Sequence, residues 1–119
     1  MKTVAVVGAS SDRNKFGNQA VRGFLRQGYT VFPINRHKDK IEGLKVYRSV
    51  LDVPGTIDKV TIYVPPTEGL DVLVEVAAKQ IPEVWINPGA DSPAVLQRAR
   101  DLGIEPIVAC SLMALGATL

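Results

Sequence analysis

Short β-branched runs alternate with amphipathic stretches from one end of this sequence to the other, a rhythm that few architectures admit. Val4-Ala5-Val6-Val7 predicts a buried strand ending at Gly8. From Gly17 to Gln27, apolar Ala20, Val21, Phe24 and Leu25 fall at helical spacing, and Gly28 stands where a helix would stop. Tyr29 to Ile34 predicts a second strand, Val46-Tyr47 a short extended piece, and Ser49 to Val53 a helical turn closed by Pro54-Gly55. Lys59 to Val64 predicts a third strand, ended by Pro65-Pro66. Thr67 is then expected to cap a helix whose inner face is Leu70, Leu73, Val74, Ala77 and Ala78. Glu83 to Ile86 and Ile104 to Ala109 complete the set of strands. Between them lies a helix capped by Asp91 or Ser92, with Pro93 in its first turn, Val95, Leu96, Ala99 and Leu102 inside, and Gly103 after it. Strand–helix alternation at this spacing implies right-handed crossovers. The predicted fold is therefore α/β: a single doubly wound, mostly parallel, five-stranded Rossmann-like sheet with helices on both faces.

With 119 residues and no repeat or linker, one domain over 1–119 is expected. Hydrophobic residues make up 46% and charged residues 22%, which excludes a disordered chain. No run approaches the roughly 20 apolar residues of a membrane span. Met1 leads directly into the first strand without a signal segment, and the single cysteine cannot form an internal disulfide, so a cytoplasmic protein is expected.

The charge distribution is more informative than the net charge of +2. Arg36-His37-Lys38-Asp39-Lys40 holds three fixed cations and one anion; taking these from the chain's 14 basic and 12 acidic residues leaves 11 of each sign. The whole excess lies in one loop. That loop is too compact for a nucleic-acid duplex but suits one phosphorylated small molecule.

Ligands of such sheets bind outside the carboxyl ends of the strands, near the point where strand order reverses. The first strand runs into Gly8-Ala9-Ser10-Ser11-Asp12-Arg13-Asn14-Lys15-Phe16-Gly17 and then a helix, whose free N–H groups favour an anion such as pyrophosphate. Gly8 would let backbone approach a ligand, Ser10 and Ser11 offer hydroxyls, and Arg13 or Lys15 offers charge. The spacing is neither Gly-x-Gly-x-x-Gly nor a P-loop. After the second strand, Asn35 is followed by Arg36, Lys38 and Lys40 where an NAD-binding unit would place a carboxylate, so a phosphate on the adenosine ribose is expected. NADP and coenzyme A both carry one. Tyr63-Val64-Pro65-Pro66 would form a stiff apolar lip for an adenine ring or a pantetheine arm, and Asn87-Pro88-Gly89 a narrow turn on the same edge. His37 reads as a bystander and Trp85 as core. Cys110 reads as inert packing, or as a thiol near the crevice mouth. The uncharged tail from Ser111 to Leu119 is expected to cover the core or bury itself against a second subunit.

Three segments in order, Val6-Val7-Gly8-Ala9-Ser10, Tyr29 to Asn35 and Gly43 to Pro54, resemble the small CoA-binding domain family, a Rossmann-like group. The same domain opens the alpha subunit of succinyl-CoA synthetase. The resemblance implies that Gly8 to Ser11 and Gly17 hold the CoA pyrophosphate. Asn35 and Arg36 would lie near the ribose, Lys38 or Lys40 near its 3′ phosphate, and Tyr63 to Pro66 with Asn87 to Gly89 would line the crevice. Arg36 stands where relatives often have proline. In the synthetase the chemistry needs a phosphorylated histidine in another domain and a partner subunit.

No metal-ligand cluster, Ser-His-Asp set or paired carboxylates is evident at the strand ends. The leading expectation is therefore a stand-alone module for coenzyme A or an acyl-CoA without its own catalytic centre, acting as sensor, carrier or subunit of a partner enzyme. A homodimer is a further expectation; nucleic-acid and membrane partners are not expected. The alternatives are an NADP-binding oxidoreductase or regulator, and a structural subunit with a vestigial crevice.

Overall fold

A computed structural model describes residues 2–115. Its strands are β1 (Thr3–Val7), β2 (Thr30–Ile34), β3 (Lys40–Ile41), β4 (Leu44–Lys45), β5 (Lys59–Ile62), β6 (Glu83–Ile86) and β7 (Ile107–Val108). The helices are α1 (Phe16–Arg26), α2 (Pro66–Lys79), α3 (Pro93–Asp101) and α4 (Ser111–Ala114), with a 3-10 turn at Val50–Asp52. Five strands form one sheet in the order β2-β1-β5-β6-β7, every pair parallel. Strand order reverses between β1 and β5, so the crevice expected of this topology opens at their carboxyl ends.

Alternation along β1 divides the core into two layers. Val4 and Val6 pack with Ala20, Val21 and Phe24 of α1 and Leu112 of α4, whereas Ala5 and Val7 pack with Val72, Leu73 and Val76 of α2 and Val95 and Ala99 of α3. Both faces of the sheet are therefore covered by helices, which explains why β1 shows no polar alternation.

Local chemistry sets the helix ends. Gly28, at φ +85, ends α1: its N–H donates to Leu25 O, and that of Tyr29 donates to Phe24 O. Ser92 caps α3 by accepting from Val95 N, with Pro93 in the first turn.

Four expectations are corrected. α2 begins at Pro66 with Pro65 at its N-cap position, so Thr67 lies inside the helix. The buried face of α2 is Gly69, Val72, Leu73 and Val76, and Val74 is 44% exposed. Gly69 belongs to this face: a Cβ there would stand 3.6 Å from Val95 of α3, at ordinary packing distance. The last strand is confined to Ile107–Val108, since Pro106 has no N–H to give to a ladder. A hairpin, β3–β4, stands where only Val46-Tyr47 was expected to be extended; Tyr47 itself forms a parallel bridge to Ile34. Of the apolar tail, Leu112 is buried against α1 and covers the core, and 116–119 lie outside the described residues.

Candidate crevice at the carboxyl edge of the sheet

Two connected hollows lie along the carboxyl edge. The first, about 410 Å³, has a floor of Val7, Ile34, Val50, Val64 and Val72, with Arg36, His37 and Arg48 on one rim and Glu68 and Glu75 on the other. The second, about 680 Å³, runs from Ala9, Ser10, Lys15, Phe16 and Gly17 past Tyr63 and Pro65 to Pro88 and Gly89. Gly8, Asn35, Val64 and Glu68 line both, so the two make one continuous crevice.

The β1–α1 loop is held by its own side chains. Ser10 Oγ accepts from Asp12 N at 3.0 Å, and Asp12 Oδ1 accepts from Asn14 N at 3.0 Å. Asn18, fully buried in the first turn of α1, donates to Ser10 O at 2.8 Å and to Glu42 Oε2 at 3.1 Å. Arg22 donates to Asn18 Oδ1 and to Arg13 O, each at 2.8 Å. No side chain caps α1 at Lys15, so the helix start presents backbone N–H groups to the crevice. Gly8 sits at φ +86, and a Cβ would stand 3.0 Å from the Tyr63 carbonyl carbon, so the missing side chain makes room for the segment that follows β5.

Asn35 shapes the basic loop. Its Oδ1 accepts from His37 N at 2.7 Å and Lys38 N at 3.0 Å, while its Nδ2 donates to Ala9 O at 2.8 Å. Arg48 supports the loop from beneath, donating to Lys38 O at 2.6 Å and to Asn35 O at 3.2 Å and pairing with Asp39 at 3.0 Å. Sequence reasoning missed Arg48, because both carbonyls it binds are ten or more residues away and carry no local signature. Arg36, Lys38 and Lys40 are exposed and make no side-chain hydrogen bond or ion pair among the described residues. Of these three, Arg36 lines the crevice; Lys38 and Lys40 stand outside its lining.

The remaining candidates divide. Tyr63, Val64, Pro65, Pro88 and Gly89 line the second hollow, whereas Pro66, Asn87, Ser11 and Arg13 do not. Arg13 Nε lies 3.6 Å from Glu42. Asn87 is buried and fully engaged: Nδ2 donates to Thr61 Oγ1 at 2.6 Å and Ile62 O at 3.0 Å, and Oδ1 accepts from Ser111 N at 2.8 Å. Thr61 and Ser111 hydroxyls bond each other at 2.7 Å. Beside them the Tyr63 hydroxyl is buried without a hydrogen-bond partner among the described residues, and burial pushes its pKa up to about 12. Phe16, 53% exposed beside Lys15, lines the crevice and was not among the candidates the sequence offered. Trp85 lies in β6, its indole N–H donating to Glu83 at 2.8 Å.

The arrangement can take an elongated anion: an apolar slot at one end, an uncapped helix start in the middle, free cations beside the slot and a proline-edged channel beyond. Such a set fits the adenosine, pyrophosphate and pantetheine parts of coenzyme A.

A family model for a CoA binding domain matches residues 2–116. The alpha subunit of ADP-forming acetate–CoA ligase II from Pyrococcus furiosus is 34% identical over 84 residues, covering 70% of this chain and 18% of that protein. The chain thus spans under a fifth of that relative's length. Among solved structures, a conserved hypothetical protein from Pyrococcus furiosus shares 37% identity at a TM-score of 0.82, covering 89% of this chain and 91% of that one. The dinucleotide-forming acetyl-coenzyme A synthetase 1 of Ca. Korarchaeum cryptofilum, in complex with phosphate and ADP, shares 30% identity at a TM-score of 0.75, over 91% of this chain and 25% of that one.

Proposed function

The chain belongs to the CoA binding domain family, and from that membership we propose that it binds coenzyme A or an acyl-CoA along the carboxyl-edge crevice without a catalytic centre of its own. The observation that carries the reading is the continuity of the crevice: an uncapped α1 start and the cations Lys15 and Arg36, unpaired among the described residues, line one groove.

In this reading the adenine lies on Val7, Ile34, Val50 and Val72, between the basic rim and α2. The pyrophosphate meets the N–H groups at the start of α1, with Ser10 and Lys15 beside it. Arg36, Lys38 and Lys40 attract the 3′ phosphate; Asn35 and Arg48 act by shaping the loop that presents them. The pantetheine arm follows Phe16, Tyr63, Pro65, Pro88 and Gly89. Coenzyme A supplies a thiol that carries acyl groups as thioesters, and these residues bind and orient it. Ser11, Arg13 and Pro66 flank the crevice, and Asn87 supports it from within. Residues 1–119 act as one domain, and the names of the curated relatives support service to a CoA ligase subunit, or a role as sensor or carrier.

A thermal-shift titration with CoA, dephospho-CoA, acetyl-CoA, NADP and NAD tests the proposal. A ligand at about 100 times its Kd stabilises the native state by about 2.7 kcal/mol. The expected result is a response to CoA, much reduced for dephospho-CoA. A response to NADP alone moves the chain to a nicotinamide-binding role, and silence from all five rejects the crevice as a nucleotide site.

A further inference from the structure

The hairpin turn between β3 and β4 holds an unusual residue. Glu42 adopts φ +51 and Gly43 φ +77, the paired left-handed conformations of a two-residue hairpin whose first position favours Asn, Asp or Gly. A glutamate there carries backbone strain of about 1 kcal/mol. Its side chain nonetheless turns back toward the protein and is only 23% exposed. Oε2 accepts from Asn18 Nδ2 at 3.1 Å and lies 3.6 Å from Arg13 Nε. A carboxylate thus stands at the start of the helix that, in the proposed function, receives an anion. Charge alone argues against such a placement.

The bonds around Glu42 account for it. Asn18 uses the same nitrogen to hold Ser10 O, and Arg22 holds both Asn18 Oδ1 and Arg13 O, so the β1–α1 loop is suspended from these two side chains of α1. Glu42 joins that assembly to the hairpin, whose first strand begins at Lys40. Asn35 makes a separate tie, from Ala9 O to the N–H groups of His37 and Lys38. Asn35 reaches the start of the basic loop, and Glu42 reaches the strand that bears its last cation.

We propose that Glu42 is a positioning residue that couples the basic loop to the β1–α1 loop, so that the 3′ phosphate and the pyrophosphate of one ligand bind cooperatively. This rests on the crevice binding coenzyme A. A group bound at either loop orders the other through the Glu42–Asn18–Ser10 chain, which lowers the ordering cost of the second contact.

Glycine is the preferred occupant of positive φ, so Glu42→Gly removes the tie without burdening the backbone. Glu42→Gln keeps an acceptor for Asn18 and loses only the charge toward Arg13. The readout is the ratio of dephospho-CoA Kd to CoA Kd, measured by calorimetry on the full chain. The expected result is a ratio about fivefold smaller in Glu42→Gly than in the parent, with Glu42→Gln close to the parent. An unchanged ratio overturns the coupling, as does a tightening of both ligands, which would make Glu42 merely a repulsive charge. If the parent chain binds neither ligand, the proposed function fails instead, and the two failures are distinguishable.

Discussion

A Cβ on Gly17 would stand 2.2 Å from the carbonyl oxygen of Gly8, so the end of β1 and the first turn of α1 are in backbone contact. Neither partner is a flexible side chain that could move aside. Gly17→Ala is expected to cost at least about 2 kcal/mol, since added volume at a rigid contact forces backbone shifts. The urea midpoint checks this, and CoA affinity should fall with it, because the displaced turn bears the N–H groups of the crevice.

Arg36 lines the first hollow with no partner among the described residues, so its removal disturbs little else. Arg36→Ala is expected to weaken CoA by about 1–3 kcal/mol, the range for a hydrogen bond to a charged group. Dephospho-CoA should be affected much less. The measurement is calorimetry at two salt concentrations, with the difference between ligands shrinking at the higher one.

Asn87 satisfies three separate partners inside the protein. Asn87→Ala leaves the buried Ser111 N–H without its acceptor and takes from the Ile62 carbonyl one of two donors, the Asn87 backbone N–H remaining. A loss of about 3 kcal/mol is expected, readable as a lower melting temperature without ligand.

Burial raises the Tyr63 hydroxyl to about 12 in the folded chain, above the ordinary tyrosine value. The proton is therefore held more tightly in the native state than in the unfolded one. Its contribution to stability is complete below the unfolded value near pH 10 and is lost as pH climbs through the folded one. Screening at this partly exposed ring keeps the loss to about 2 kcal/mol or less. Tyr63→Phe removes a buried hydroxyl without a partner, so it is expected to be neutral or stabilising at pH 7 and to flatten the decline in urea midpoint between pH 10 and 12.

Legibility followed the range of the interactions involved. Ser92, Pro93 and Gly103 mark the ends of α3 by local chemistry, and all three stand where the sequence puts them. The same holds for Gly28 after α1 and for the β-branched runs of β1 and β5. The α2 face was misread because Gly69, a buried member of it, has no hydrophobic weight in a periodicity argument. The hairpin was missed because its strands are two residues long and its turn begins with glutamate. At the crevice, residue types announced the basic loop and the α1 start. Arg48, Glu68 and Glu75 could be found only once the chain was folded, since each meets the groove through contacts remote in sequence.

Strand order also governs when this protein can acquire its shape. β1, made first, lies between β2 and β5, so its second neighbour is not complete until Ile62 has been synthesised. Every pairing in the five-stranded sheet is a parallel crossover, and none can zip up locally as a hairpin does. A nascent chain therefore holds Val4 to Val7 with one flank open during much of its synthesis, at about 5–20 residues per second. Such non-local closure is slow and leaves an apolar edge available to chaperones or to neighbouring chains. Early β-branched substitutions on that flank should thus be read first in soluble yield, before any effect on the finished fold.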